Sequence, residues 1–194
     1  MAARVAGVIL AGGAGTRFGE PKAFARLPDG RTFLASCAAA LAAGGADPIA
    51  ATLPPGAGGE LPAGVLPVPL AAPGWPMFES LRTGLGALLA VPDWDTVIVL
   101  PVDHPLVQAS SVRALAAAAG DAAIPSFRGK HGHPVALGRA VAAGIVGGAF
   151  AGPTLREVLH AVGATEVAVE DAGVTANCNT PEALAAALAA AARG

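Results

Sequence analysis

Charged residues are scarce in this chain. Asp, Glu, Lys and Arg make up 13% of its 194 residues, whereas 54% are hydrophobic. Such a chain is too apolar to be disordered and has ample material for a buried core. Its formal net charge of -2 argues against a surface that coats nucleic acid, so a cationic binding site must form locally. Because one core can serve a chain of this length, we expect a single domain over residues 1–194.

Cysteines and long apolar runs are also scarce. The two cysteines, Cys37 and Cys178, can form one disulfide at most, and a chain of this size does not need it for stability. We therefore expect a protein of the reducing cytoplasm. The apolar run near the N-terminus gives way to glycine after about seven residues. This length is at the short limit for a secretory leader, so we do not expect secretion. No window of roughly 20 residues is strongly apolar, so we expect no membrane span.

Segments rich in β-branched residues alternate with alanine-rich segments along the chain. This alternation is typical of a Rossmann-like α/β fold, in which helices cover both faces of a mostly parallel central sheet. We predict strands over residues 4–10, 48–53, 64–70, 96–101, 122–127, 134–138 and 165–170. We predict helices over residues 32–43, 77–90, 111–119, 154–162 and 181–192.

Two of the predicted strands can be placed within the sheet. Pro67 and Pro69 assign the third strand to an edge or a loop. The fourth, TVIVLP over residues 96–101, has no polar alternation and should be central and covered on both faces. For the helix ends, we expect left-handed glycines at Gly44, Gly120 and Gly163 and capping side chains at Ser110 and Thr180.

A glycine-rich loop follows the first predicted strand. Residues 10–22 read LAGGAGTRFGEPK, with Gly12, Gly13 and Gly15 near the beginning. Glycines allow the backbone to approach a ligand closely and to present successive N–H groups to an anion at the carboxyl end of a strand. This arrangement favours a polyphosphate ligand.

Two well-known phosphate loops do not match these residues. The Walker pattern fails because two residues separate Gly19 from Lys22. The dinucleotide pattern fails because Phe18 occupies its last glycine position. Arg17 can bind phosphate oxygens through two parallel hydrogen bonds, and Lys22 supplies a mobile point charge. The alternative is a tight turn between strand and helix that carries two solvated cations.

Asp103 lies just past the apolar strand of residues 96–101. This position is at the carboxyl edge of the sheet, where open α/β folds bind ligands. Magnesium keeps most of its water, so one carboxylate together with substrate phosphates is a usual way to hold it. The alternative is that Asp103 caps the turn before Pro105.

The loop LAGGAGTRFGEPK resembles the characteristic loop of the MobA-like nucleotidyltransferases, a family that includes molybdenum cofactor guanylyl- and cytidylyltransferases. Further matching segments follow in the family's order, so the resemblance spans nearly the whole chain. It implies one nucleotidyltransferase domain that binds the triphosphate mainly through residues 1–110 and the acceptor mainly through residues 111–194. It also implies that Asp103 coordinates Mg²⁺. The implied triphosphate contacts are Leu10, Ala11, Gly12, Gly13, Gly15, Thr16, Arg17 and Lys22.

The segment at residues 72–88 resembles the stretch G-x-x-x-S-L-R-x-G-L of the cytidylyltransferase branch. There the loop and helix start lie near the base and ribose, and the matching positions are Ser80, Arg82 and Gly84. The same residues also fit an amphipathic helix with a buried leucine face, on which Arg82 would be solvated.

The segment at residues 127–138 resembles the family's G-x-x-G-H-P stretch on the acceptor side of the cleft. The implied acceptor residues are Lys130, His131 and His133. With Arg128, the first two would form a cationic rim that receives an anionic second substrate. His133 has the alternative of a structural role beside Pro134.

The other histidines and the second cysteine match no chemical motif. His131 and His133 lack a nearby third ligand, so we expect no zinc site. His160 is expected on a helix surface, and His104 has only its position beside the predicted site. Cys178 is expected to be a small buried side chain, because no base accompanies it.

The stretch NCNTPE, which begins at Asn177, departs from the cytidylyltransferase pattern D-x-D-T-P-E and resembles the guanylyl branch. Asn177 and Asn179 can offer carbonyl oxygens to a metal but no charge. We therefore predict Asp103 and Asn179 as metal ligands. Three alternatives stay open: Asp103 and phosphates suffice, Asp171 contributes, or the activity is weakened.

The resemblance implies that an NMP group passes from an NTP to a phosphomonoester such as molybdopterin, with release of pyrophosphate. Arg17, Lys22 and Asp103 would be catalytic. FESLRTGL and GHP favour CTP, whereas LAGG and NCNTP resemble the guanylyl branch. The open alternatives are a GTP-using guanylyltransferase, a sugar-phosphate or alcohol-phosphate nucleotidyltransferase, and a noncatalytic nucleotide-binding protein that serves a molybdoenzyme. A molybdoenzyme is also the expected recipient of the product.

Overall fold

The computed structural model describes residues 4–13, 21–57, 59–150 and 154–191. The strands are β1 Val5–Leu10, β2 Ala46–Leu53, β3 Val65–Pro69, β4 Thr96–Pro101, β5 Ala122–Phe127, β6 Lys130–His131, β7 Val135–Gly138 and β8 Thr165–Ala168. The helices are α1 Phe33–Ala43, α2 Met77–Leu89, α3 Ala109–Ala118, α4 Arg139–Gly147, α5 Leu155–Ala161 and α6 Pro181–Ala191. Short 3₁₀ turns lie at Lys22–Phe24 and Ala172–Thr175.

The strands form one sheet in the order β3-β2-β1-β4-β7-β5-β6, with β8 paired to β5. Strands β3, β2, β1 and β4 are parallel neighbours, β7 is antiparallel to both of its neighbours, and β8 is parallel to β5. The predicted mostly parallel sheet is therefore confirmed. The proline-containing β3 lies at an edge, and the fully buried β4 lies between β1 and β7, as its sequence predicts.

Two hydrophobic clusters cover the two faces of the sheet. Alternate side chains of a strand point to opposite faces, so Val8 and Ile9 of β1 belong to different clusters. One cluster takes side chains from α1, α3 and α6, and the other takes side chains from α2, α4 and α5. The predicted helices on both faces are confirmed.

Two elements were not predicted from the sequence. Helix α4 contains Gly144 and Gly147, which lower intrinsic helix propensity, but Val141 and Ile145, four residues apart, are both buried. Burial of this face outweighs the weak propensity. Strand β6 has only two residues and pairs with β5 across a turn with positive φ at Arg128 and Gly129, too short for a periodic pattern.

The predicted helix ends are partly wrong. Gly44 has φ -79°, and the next residue, Gly45, has the positive φ of 96°. Packing explains Gly44, because a Cβ there would lie 2.3 Å from Cγ1 of Val112. Gly120 and Gly163 do have positive φ, of 47° and 65°.

Of the two predicted helix caps, one is wrong and one is confirmed. Helix α3 begins at Ala109, so Ser110 is not its cap; the backbone N–H of Gln108 instead donates to Asp171 Oδ2 at 2.8 Å. Thr180 is a cap as predicted, because its Oγ1 accepts from the N–H of Ala183 at 3.2 Å. In the described ranges, no helix is both long enough and apolar enough to cross a membrane.

Candidate functional site

Three predicted site residues come together at the carboxyl edge of the sheet. Lys22 lies in the first 3₁₀ turn, Asp103 follows β4, and Asn179 precedes α6. The Lys22 ammonium donates to Asn179 Oδ1 and lies 3.7 Å from Asp103 Oδ2. The side chains of Lys22 and Asp103 are 16% and 15% exposed, so water screens their attraction less than at a surface. We call these three residues the edge cluster.

Backbone hydrogen bonds hold the edge cluster in place. The N–H of Cys178 donates to the carbonyl oxygen of Asp103 at 2.7 Å, which fixes the segment before α6 to the end of β4. The N–H of Val102 donates to the carbonyl of Leu10 at 3.0 Å, which joins the ends of β4 and β1. Residues far apart in the sequence therefore share one rigid strand edge.

The start of the glycine-rich loop lies against α2. Ala11 and Gly12 are both buried, and a Cβ on Gly12 would lie 2.3 Å from Leu70 Cδ1 and 3.3 Å from Ser80 Oγ. A side chain at position 12 would therefore have to displace the end of Leu70. Gly13 is exposed, and a Cβ there would meet nothing within 4 Å. The predicted contacts Gly15, Thr16 and Arg17 lie outside the described residues.

The three predicted base- and ribose-side residues pack within the fold. Ser80 is buried and its hydroxyl donates to the carbonyl of Pro76 at 3.1 Å. Arg82 pairs with Glu79 at 3.2 Å and donates to the carbonyl of Val146 at 3.3 Å, which links α2 to α4. Gly84 is buried where α2 meets the sheet. The buried face of α2 matches the amphipathic-helix alternative, but Arg82 is paired rather than simply solvated. The nucleotide contacts of all three residues stay a prediction.

The packing role of Gly84 can be tested by substitution. A Cβ at this position would lie 2.6 Å from Val8 Cγ2 and 3.0 Å from Thr52 Cγ2. We expect Gly84→Ala to lower the free energy of unfolding by about 1–3 kcal/mol through overpacking. Gly86→Ala is the matched control, because a Cβ there would meet nothing within 4 Å, and it should stabilise the helix slightly. Urea unfolding measures both; equal stabilities would contradict the packing role.

Asp171 is a structural residue. It is 2% exposed, and its carboxylate accepts from the N–H of Gln108 at 2.8 Å, the hydroxyl of Ser111 at 2.7 Å and the N–H of Gly173 at 2.8 Å. These bonds fix the start of α3 and cap the second 3₁₀ turn. The alternative that Asp171 contributes to a metal site is therefore not supported. Within the described ranges, no group of three or more His, Cys, Asp or Glu could hold a metal.

The cysteines are buried, as expected for Cys178. Cys37 and Cys178 are both free thiols. Burial raises the pKa of Cys178 to about 11, and burial also raises the pKa of Cys37 far above its ordinary value. A raised pKa disfavours the thiolate form near neutral pH, and this agrees with the expected structural role of Cys178.

A cavity of about 1150 Å³ lies beside the edge cluster. It is lined from the ends of β1 and β4, through the start of α2 and the strands β5 and β7, to helix α5. All four histidines of the chain line it: His104, His131, His133 and His160. The sequence prediction assigned only two of these to the acceptor side, because α5 carries no motif that would place His160 here.

Two of the cavity's histidines are held neutral. The rings of His104 and His133 meet edge to face with centroids 5.1 Å apart. Burial lowers the pKa of His104, and burial together with the neighbouring His104 lowers the pKa of His133 to about 4. His104 Nδ1 faces the carbonyl of Gly173 at 3.4 Å, and its Nε2 lies 4.0 Å from Asp103 Oδ1. The ring of His104 therefore connects the cavity to the edge cluster.

The predicted cationic rim is altered by pairing. His131 Nε2 lies 2.8 Å from Glu166 Oε2, and this bond holds the pKa of Glu166 below its ordinary value. Arg128 lies over the ring of Phe127 at 5.0 Å. Lys130 is exposed on β6. The acidic Glu166, not prominent in the sequence, thus offsets the charge that His131 would bring.

The lowered pKa of His133 predicts that the stability of the protein depends on pH. The folded protein keeps its ring neutral down to a pKa of about 4, whereas the unfolded chain binds a proton below about 6.5. Protons therefore favour the unfolded state in this window, and stability falls as the pH falls. We expect a loss of about 2 kcal/mol between pH 7 and pH 5. Urea unfolding of the wild type and His133→Gln measures it; equal slopes against pH would contradict it.

Solved structures of similar fold extend over the whole chain. A Rv0371c homologue from Mycobacterium sp. strain JC1 matches with a TM-score of 0.77 and 26% identity, over 100% of this chain and 99% of that chain. Rv0371c from Mycobacterium tuberculosis H37Rv, in complex with manganese, matches with a TM-score of 0.71 and 23% identity, over 96% and 98%. The 2-C-methyl-D-erythritol 4-phosphate cytidylyltransferase from Thermus thermophilus matches with a TM-score of 0.66 and 22% identity, over 99% and 100%.

The sequence comparison with protein families gives a separate result. No curated protein matches the chain significantly. The family model described as the MobA-like NTP transferase domain matches residues 7–167, which include the glycine-rich loop, β4 with Asp103, and most of the cavity wall. This match covers most of the chain, and the chain is therefore a member of the MobA-like NTP transferase family.

Proposed function

We propose that this nucleotidyltransferase transfers NMP from an NTP, with CTP favoured, to a phosphomonoester acceptor, with molybdopterin favoured, and releases pyrophosphate. The observation that carries the proposal is the edge cluster, in which Lys22, Asp103 and Asn179 meet beside the glycine-rich loop. The resemblance of residues 72–88 to the cytidylyltransferase branch supports CTP. We retain residues 1–110 as the main triphosphate side and residues 111–194 as the main acceptor side, although Asn179 joins the former.

The edge cluster fits a divalent cation. Asp103 Oδ2 and Asn179 Oδ1 both approach the Lys22 ammonium, so two oxygen donors already face one cation. Magnesium is commonly held by one or two protein oxygens together with substrate phosphates and water. We therefore propose Mg²⁺ as the cofactor, held by Asp103 and Asn179. When bound, it would neutralise charge on the triphosphate and the departing pyrophosphate.

The chain's own residues account for the rest of the proposed mechanism. An acceptor phosphate oxygen attacks the α-phosphorus, and the bond from that phosphorus to the bridging oxygen of pyrophosphate breaks. The acceptor oxygen is already anionic near neutral pH, so no strong base is needed. Lys22 and Arg17 would bind the triphosphate oxygens and stabilise the charge that grows during transfer. Gly12 and Gly13 would let the backbone approach the phosphates.

The acceptor and the cellular context are less constrained by the edge cluster. A sugar-phosphate or alcohol-phosphate acceptor and a GTP-using guanylyltransferase remain alternatives, because the triphosphate site does not define either the base or the acceptor. A molybdoenzyme that receives the product and a location in the cytoplasm are predictions from the sequence.

A nucleotide panel tests the proposed function. CTP, GTP, ATP and UTP are added to the protein with and without Mg²⁺, and the thermal unfolding midpoint is measured. We expect the largest rise with CTP and Mg²⁺, since a ligand at about 100 times its Kd adds about 2.7 kcal/mol. Pyrophosphate release is then measured with molybdopterin as acceptor.

Each outcome of the panel has a defined meaning. A larger shift with GTP would contradict the favoured nucleotide and support the guanylyl alternative. A nucleotide-dependent shift without release of pyrophosphate from the NTP in the presence of molybdopterin would contradict catalysis and support a noncatalytic nucleotide-binding protein. No shift with any nucleotide would contradict the whole proposal.

A further inference from the structure

The described residues that line the cavity include no Asp or Glu. They do include Arg156 and the four histidines. Glu166 offsets His131 at 2.8 Å, and the rings of His104 and His133 pack against each other with centroids 5.1 Å apart. A permanent positive charge in this lining is therefore provided by Arg156, and an anion is the ligand that it favours.

Arg156 and His160 are presented together by α5. They are four residues apart in one helix, so they lie on the same side of it, and both side chains are exposed. Within the described part of the chain, no hydrogen bond or ion pair engages the Arg156 guanidinium. The helix itself is well anchored: Thr154 and Glu157 form a capping box, and Val158 and Leu159 are buried in the core.

The rest of the cavity wall is largely apolar. Helix α2 contributes Met77, which is 64% exposed, together with Phe78 and Leu81. Ile124 on β5 and Leu155 on α5 also line the cavity. A ligand that covers the accessible part of this apolar wall removes it from water, which favours binding. A small polyol would leave this apolar wall exposed to water.

We propose that Arg156, with His160 beside it, binds an anionic group of the acceptor, and that the apolar wall of α2, β5 and α5 holds a bulky ring-bearing body. This inference rests on the proposed function and specifies its acceptor: a phosphomonoester with an apolar or ring face rather than a small polyol phosphate. The sequence-predicted Lys130 is not needed for this contact.

Three small phosphates test the cavity without the natural acceptor. Phenyl phosphate carries a ring, glycerol 3-phosphate carries a polyol, and inorganic phosphate carries neither. Because all four histidines line the cavity, their imidazole NMR resonances report a ligand there. We expect phenyl phosphate to shift these resonances with an affinity at least about tenfold higher than that of inorganic phosphate or glycerol 3-phosphate, through burial of the ring.

Matched arginine variants test the residue. Arg156→Ala should weaken phenyl phosphate binding about tenfold or more, because a charge-assisted contact is lost. Its thermal midpoint and its response to CTP and Mg²⁺ should not change. Arg156→Lys should retain part of the affinity. Arg113→Ala is the control: Arg113 is an exposed arginine on α3 that donates to the carbonyl of Ala43 at 2.8 Å, and its loss should leave phenyl phosphate binding unchanged.

Three results would overturn the inference. The first is phenyl phosphate binding that is undiminished in Arg156→Ala. The second is equal binding of glycerol 3-phosphate and phenyl phosphate, which would refute the apolar body. The third is no imidazole shift with any of the three phosphates. Because CTP and Mg²⁺ are tested separately in the same variants, loss of nucleotide binding in the wild type would identify failure of the proposed function instead.

Discussion

Replacing Asp103 by asparagine is expected to reduce nucleotidyl transfer roughly 10³-fold. Asp103 is the carboxylate of the edge cluster, and its neighbour Asn179 offers an oxygen without charge. The Asp103→Asn variant would keep the size of the side chain and lose the charge that attracts a divalent cation. The fold should be retained, because the 2.7 Å bond from the N–H of Cys178 reaches the backbone carbonyl of Asp103 and not its side chain. Initial rates over a range of Mg²⁺ concentrations measure the effect.

Asp171→Asn is the matched control for this prediction. The carboxylate of Asp171 accepts three hydrogen bonds within the fold, and an amide group would turn a donor towards other donors, such as the N–H of Gln108. We expect a loss of about 1–3 kcal/mol of stability with normal transfer per folded molecule. If Asp103→Asn lowered stability and left the Mg²⁺ dependence unchanged, Asp103 would have no place in the site.

Replacing Lys22 by alanine is expected to lower kcat about 100-fold, since one well-placed donor to a developing charge contributes this much. Metal binding should change in the opposite direction. In the nucleotide-free protein the Lys22 ammonium contacts the side-chain oxygens of Asp103 and Asn179. Its removal frees them, so Lys22→Ala should bind Mn²⁺ more tightly than the wild type in the absence of nucleotide.

Steady-state kinetics and a Mn²⁺ titration separate these two effects of Lys22. Arg26→Ala is the matched control, because this nearby exposed cation donates to the carbonyl of Gly30 at 2.7 Å, away from the edge cluster. It should change neither kcat nor metal affinity. Wild-type turnover in Lys22→Ala would remove Lys22 from catalysis, and weaker Mn²⁺ binding would contradict the competition.

The sheet could be predicted from the sequence because its strands have distinctive composition. TVIVLP has no polar residue after its first position, and the two prolines of β3 argue against a central position in the sheet. Helix α4 could not be predicted, since its glycines weaken a local pattern that only burial of Val141 and Ile145 completes. The assignment of Gly44 failed for a related reason: contact with Val112, 68 positions away, determines it.

The residues of the candidate site could also be predicted only in part. Lys22, Asp103 and Asn179 could each be nominated from a motif, but the contact between Lys22 and Asn179 spans 157 positions and depends on the fold. The cavity residues Arg156 and His160 could not be nominated, because they belong to no motif and α5 reaches the cavity only through tertiary packing. The pattern around Gly84 resembles a binding motif, but the structure shows a packing reason for this glycine. It lets α2 lie close to the sheet.

The hydrogen bond from Cys178 to Asp103 gives the C-terminal part of the molecule a direct influence on the strand edge. Helix α6 is linked in sequence to that bond, and Leu184 anchors it in the core. A displacement of α6 would therefore pull on the backbone that orients the carboxylate of Asp103. A fusion partner joined after this helix is therefore expected to disturb the edge cluster through the bond between Cys178 and Asp103.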